Sequence, residues 1–162
     1  MLRQTKILLI LAVAGWGLVG ALLNVLQWDG TLSSVAAAAS MSTFEGGAES
    51  WQATSNPAVI WLGAIFIAGS KLAAAGFCLL GAYRMWRARA ASAHTFSAAK
   101  QAALAGCGIA VFMLFTGFIV IAESFFEMWR SEVLRAISLE SAFRYAGLIG
   151  LIALFVALPE DP

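Results

Sequence analysis

Polar residues in this chain gather into short clusters, and long apolar runs separate them. The runs predict transmembrane helices at about residues 7–27, 58–83, 101–123 and 142–158, since roughly 20 predominantly apolar residues cross a bilayer. The first run, Ile7 to Leu26, is interrupted only by Asn24. It follows a basic start with Arg3 and Lys6, but it exceeds the roughly 7–15 apolar residues of a cleaved signal peptide. A retained first helix is therefore expected. The second run, Ala58 to Tyr83, has no polar face and holds one charged side chain, Lys71. The fourth, Phe143 to Leu158, is short at about 16 residues, so it needs Ser141 to Arg144 to complete the crossing before Pro159 stops it.

The connections carry their own signals. Residues 29–56 contain no Lys or Arg, and their acids are Asp29, Glu45 and Glu49. Thr31 to Ser40 predicts a short helix lying along the membrane surface, broken at Gly46-Gly47. Asn56-Pro57 closes this loop, because a residue before proline is pushed out of helical geometry. A second loop, running to Lys100, holds His94. In the 123–142 linker Trp129, Val133, Ala136 and Ile137 recur at helical spacing, which predicts a short amphipathic interfacial helix. The expected fold is all-α: one membrane domain over 1–162, a four-helix transmembrane bundle, antiparallel, with short interfacial helices in the extracytoplasmic loops.

Basic residues set the expected orientation. Arg3, Lys6, Arg84, Arg87, Arg89 and Lys100 flank one side, against Arg130, Arg135 and Arg144 on the other. By the positive-inside rule the first set is cytoplasmic, with both termini. Trp28, Trp61, Arg84, Trp86, Arg87, Trp129 and Arg144 sit where membrane-interface anchors belong.

Composition narrows the class. The chain is 61% hydrophobic and 12% charged, too apolar for an ordinary soluble domain. A net charge of +1 gives no field that points to nucleic acid. Cys78 and Cys107 fall at similar depths on neighbouring helices, without metal-ligand spacing, and read as small apolar packing groups.

Lys71 and Glu123 carry the sharpest chemistry. Lys71 lies ten residues beyond Trp61, roughly 15 Å along a helix. A lysine at the bilayer centre costs about 2.5–3.5 kcal/mol, so it should face protein or water. Glu123 lies six residues inside Trp129, roughly 9 Å deep, and two flexible side chains span the difference. The expectation is an intramembrane charge pair docking the second helix on the third. A contact of Lys71 with a partner subunit is the next reading, and a proton or ion relay the third. Haem is not expected, because the single histidine, His94, falls in the cytoplasmic loop. Ser, His and acidic residues show no nucleophile elbow or triad spacing, so no catalytic, cofactor-binding or metal residues are assigned.

Small residues recur at intervals of four: Gly17 and Ala21, Gly69 and Ala73, Ala102 with Gly106 and Ala110, Ala146 and Gly150. Such faces let helix backbones approach closely, within the chain or against a partner.

Several motifs together carry a resemblance: Ser40-Met41, Thr43-Phe44, Trp51, Ala53, Pro57, and Gly81-Ala82 with the Arg84–Arg89 cluster. Ala99-Lys100, Gly117-Phe118, Met128-Trp129 and Ala142-Phe143-Arg144 extend it nearly end to end. The chain resembles a bacterial family of predicted small integral membrane proteins, domain of unknown function family 2165. The resemblance implies a four-helix inner-membrane protein and supplies no activity. The expected function is a non-catalytic accessory or scaffolding subunit of a larger bacterial inner-membrane complex, in contact with the lipid bilayer and other integral membrane subunits. The alternative is a small homo-oligomeric transporter or channel using the Lys71/Glu123 pair.

Overall fold

Asn56 and Pro57 begin the longest helix. The Asn56 side-chain oxygen accepts a hydrogen bond from the Ala58 amide at 2.9 Å, and Pro57 occupies the first helical position, where it has no amide to satisfy. The computed structural model describes residues 1–160. In chain order its helices are α1 (Leu2–Leu26), α2 (Trp28–Ala39), α3 (Pro57–Arg87), α4 (Ala93–Ala99), α5 (Gln101–Met113), α6 (Glu132–Leu134) and α7 (Glu140–Ala157). No strand occurs among the described residues. Counting their π-helical continuations, four helical stretches are long and apolar enough to span a membrane: Leu2–Leu26, Pro57–Arg87, Ala93–Phe125 and Glu132–Ala157.

The spans stand where the apolar runs predict them, but several boundaries differ. α2 starts directly after Gln27, where the backbone breaks at φ −112°, rather than at Thr31. Asp29 in its first turn complements the positive helix end, which supports the earlier start. The loop expected around His94 contains α4, capped by the Ser92 hydroxyl accepting from the Thr95 amide at 3.2 Å. α5 continues without interruption into a π-helix, Leu114–Phe125. Gly117 and the β-branched Thr116, Ile119, Val120 and Ile121 are weak α-formers, so the wider turn loses little there. The stretch ends at Phe126, whose amide bonds the Ile121 carbonyl at 2.9 Å, and Glu127 then takes a left-handed backbone at φ 49°.

The 123–142 linker corrects a second expectation. Its helical spacing belongs to the opening of the fourth span rather than to a separate interfacial helix. Ser131 caps this span by accepting from the Leu134 amide at 3.3 Å, and α6 passes through a π-turn, Arg135–Leu139, into α7. That extension removes the shortfall in length expected for Phe143–Leu158.

Small residues let the spans close. Along α1 and α3, Arg3 meets the Arg89 and Ala91 carbonyls, Gly17 meets Ala75, and Trp28 meets Trp61. A Cβ on Gly17 would fall 2.8 Å from the Lys71 carbonyl oxygen, and one on Gly106 would fall 2.6 Å from the Cys78 sulfur. Gly81 lies flush against the Ala103 backbone. The core of this half is Ile10, Val13, Ala14, Ala74, Cys78, Ala103, Cys107 and Ala110, all buried. Cys78 and Cys107 are free and buried in the same core cluster, where Cys78 Sγ donates to the Ala103 carbonyl at 3.8 Å. Of the small-residue positions, Gly69 and Gly150 have open space where a Cβ would go, as do Gly108 and Gly147.

Candidate functional site

The two ends of the bundle differ in chemistry. At the end carrying the N-terminus and Glu160, Lys6 and Lys100 each donate to one oxygen of Glu160 at 2.6 Å. Both ammonium groups also donate to the Leu158 carbonyl, at 2.9 and 2.8 Å, and Arg3 lies 3.5 Å from the second Glu160 oxygen. The side chains are nearly sealed, at 0% exposure for Lys6, 2% for Lys100 and 4% for Glu160. Burial, the largest influence on Glu160, disfavours its charge. The hydrogen bonds and charges of Lys100 and Lys6 together outweigh it and hold the carboxyl below its usual range. Sequence reasoning assigned Lys6 and Lys100 to a basic flank and missed this clasp, because Glu160 follows the helix-stopping Pro159 with no spacing that ties it to either lysine.

At the opposite end lies a cavity of about 650 Å³. Its walls come from the end of α1, from α2, from the first half of α3 and from the π-helix, with Leu134 and Ser138 closing the circuit. α2 crosses over α3 where Gly63 leaves room, since a Cβ there would meet Val35 at 2.8 Å. Lys71 lines this cavity, with Asn24, Gln27, Thr31, Ser34 and Ser138 as polar companions. It is the one charged lining residue among those described.

The lysine does not stay at the depth of its backbone. Its carbonyl lies against Gly17, but the side chain runs past Gly20, whose Cβ would lie 3.1 Å from Lys71 Cδ. Nζ ends by donating to Asn24 Oδ1 at 2.7 Å. Gly17 to Gly20 is three residues along α1, and Nζ still lies 3.5 Å from where a Gly20 Cβ would be, so the ammonium climbs roughly 5 Å toward the Trp28 end, within a lysine's reach. Lys71 stands out in the sequence, whereas Gly20 does not, its only signal being a missing side chain.

Asn24 is itself oriented. α1 breaks at Gln27, so the Asn24 carbonyl is among those left without a helical partner, and it accepts from the Thr31 hydroxyl at 3.1 Å. The Asn24 amide nitrogen donates to the same hydroxyl at 2.9 Å. That pairing turns the amide oxygen toward Lys71. An ammonium has three donors, and among the described residues only the one to Asn24 is taken up by protein.

The expected pairing of Lys71 with Glu123 does not occur. Neither residue is in a salt bridge among the described residues, and Glu123, half-buried in the π-helix, is not part of the cavity wall. Leu114–Phe125 bonds i→i+5 instead of i→i+4, and its wider turns shift Glu123 around the helix from its α-helical position. A neutral partner on α1 takes the lysine instead.

The predicted anchors are largely exposed. Trp28 and Trp61 pack at 5.4 Å between ring centroids beside the cavity end. Trp86 is 48% exposed beneath the Arg89 guanidinium, and Arg87 donates to the Tyr83 hydroxyl at 3.1 Å. Arg84 is exposed, Trp129 lies exposed in a 3₁₀ turn, and Arg144 sits over the Tyr145 ring. His94 is exposed on α4.

No curated protein and no solved structure matches the chain. Its spans, its end-to-end motifs and a family profile matching residues 2–159 agree, and the chain belongs to the family described as predicted small integral membrane protein (DUF2165).

Proposed function

We propose that this chain is a non-catalytic accessory protein of the bacterial inner membrane that receives an anionic group in the Lys71 cavity. In this reading the four helices form an antiparallel bundle with both termini in the cytoplasm. The 29–56 and 123–142 segments face outward, with α2 near the interface. Support for that orientation comes from the basic flank of Arg3, Lys6, Arg84, Arg87, Arg89 and Lys100.

One observation carries the reading: a membrane-embedded ammonium lines an open cavity while bonding only a neutral amide among the described residues. An intramembrane cation without an anion is costly, so the arrangement is suited to an anion brought by another molecule. The alternative, a homo-oligomeric transporter or channel using Lys71 and Glu123, has less support. Below Lys71 the path is filled by Ala14, Ala74, Cys78, Ala103 and Cys107, all buried, and the carboxylate stands apart.

The test is purification from native membranes in mild detergent, with mass spectrometry of whatever is retained. A stoichiometric component, protein or small molecule, is expected with the parent chain and lost with Lys71→Met, while the melting temperature is kept. Retention unchanged by Lys71→Met, or charge-selective flux in liposomes that Lys71→Met abolishes, would overturn the reading.

A further inference from the structure

Resting on the reading of the cavity as a binding site, we propose that its occupant is a single-chain anionic amphiphile, with a carboxylate or phosphate head on Lys71 and its tail along the apolar wall. Depth is the first argument. Nζ lies between the levels of Gly20 and Asn24, eight and four residues before Trp28, so it is roughly 6–12 Å below the Trp28–Trp61 pair. Tryptophan marks the headgroup boundary. An amphiphile entering from the adjoining leaflet reaches the lysine with its head below the tryptophan level, sheltered by the polar lining of the cavity.

Access is the second argument. Leu23, Leu62 and Ile121 line the cavity and are 49%, 67% and 42% exposed, so the apolar wall is continuous with the outer flank of the bundle. That flank faces acyl chains, and lateral entry leaves a tail in apolar surroundings throughout. The Ser138 hydroxyl, also in the lining, offers a hydrogen bond to a further head oxygen, whereas that of Ser34 already donates to the Gly30 carbonyl at 2.9 Å.

Size is the third. A water occupies about 30 Å³ in the liquid and a methylene is similar, so about 650 Å³ holds on the order of 20 heavy atoms. That is one acyl chain with a small head. An acidic side chain on a partner helix fits less well. A helix about 10–12 Å across would fill the volume in roughly one to two turns, and α2 already crosses over α3 there.

The experiment is native mass spectrometry of the full chain in neutral-lipid nanodiscs, titrated with dodecyl phosphate, dodecanoate and uncharged dodecanol. One anionic molecule per chain is expected, with dodecanol bound at least tenfold more weakly. The better of the two anions identifies the head. Lys71→Met should weaken anion binding on the order of tenfold to a hundredfold, and Lys71→Arg should restore most of it. Ser138→Phe, which narrows the cavity and removes that hydroxyl while leaving the charge, should also reduce binding. Equal binding of dodecanol, or anion binding indifferent to Lys71→Met, would overturn the proposal. Should native preparations instead retain a protein through Lys71 while no amphiphile binds, the ligand class falls and the accessory reading stands. If nothing is retained through Lys71 at all, both fall.

Discussion

Glu160→Gln is the perturbation whose size follows most directly from the structure. One carboxylate oxygen accepts from Lys6 and Lys100 at 2.6 Å each, and the three side chains are 4% exposed or less. Removing one member of a buried ionic cluster costs about 3–5 kcal/mol, because the remaining charges stay buried. The Leu158 carbonyl still accepts from both lysines at 2.8–2.9 Å, which favours the lower end, about 3 kcal/mol. For a chain of this length that is roughly a 6–12 °C fall in melting temperature. Acid provides a second reading. The folded Glu160 pKa is depressed, so its stabilisation is complete above the unfolded value of about 4.3 and disappears as pH falls through the folded value. The parent should therefore lose stability below about pH 4.3 more steeply than the variant. Thermal unfolding in detergent, followed by circular dichroism from pH 7 to pH 3, reads both. A variant that melts within about 1 °C of the parent, with the same acid limb, would refute the clasp.

Two further substitutions probe the packing and the lysine's path. Gly106→Val should destabilise by about 3 kcal/mol, since its Cβ would meet the Cys78 sulfur at 2.6 Å and the Ala74 carbonyl at 2.8 Å. Gly108→Ala, which has open space, should change the same melting curve by less than about 0.5 kcal/mol. Gly20→Val should leave the bundle folded but push the Lys71 side chain away from Asn24, where Cδ lies only 3.1 Å from the modest Cβ of an alanine. Retention of the Lys71-dependent component should fall on the order of tenfold, measured in the same purification that tests Lys71→Met.

The spans were legible because their signal is local and strong. Ala58 to Tyr83 has no polar face, and Asn56-Pro57 marks where its helix begins. Lys71 was legible for the same reason, as a charge in an apolar run. Its partner was not, because Asn24 is neutral and the pairing depends on how α1 and α3 pack, 47 residues apart in sequence. Glu123 misled because its depth alone was counted, which does not fix the direction a side chain faces, and hydrophobic spacing does not reveal the π-helix over Leu114–Phe125. The clasp on Glu160 joins residues up to 154 positions apart and has no periodic signature at all. The Val133–Ile137 spacing was seen correctly as helical, but continuity with α7 depends on the Ser131 cap setting the start.

The central claim is a cavity that admits an anionic group to Lys71 from one face and is blind toward the other. Its most direct test is thiol accessibility of Lys71→Cys, in a background where the buried Cys78 and Cys107 are alanine, using an anionic, membrane-impermeant reagent. In sealed vesicles of each orientation, labelling is predicted only from the Trp28–Trp61 face, and Ser138→Phe should slow it. Labelling at comparable rates from both faces, or from the face carrying the termini alone, would contradict the account.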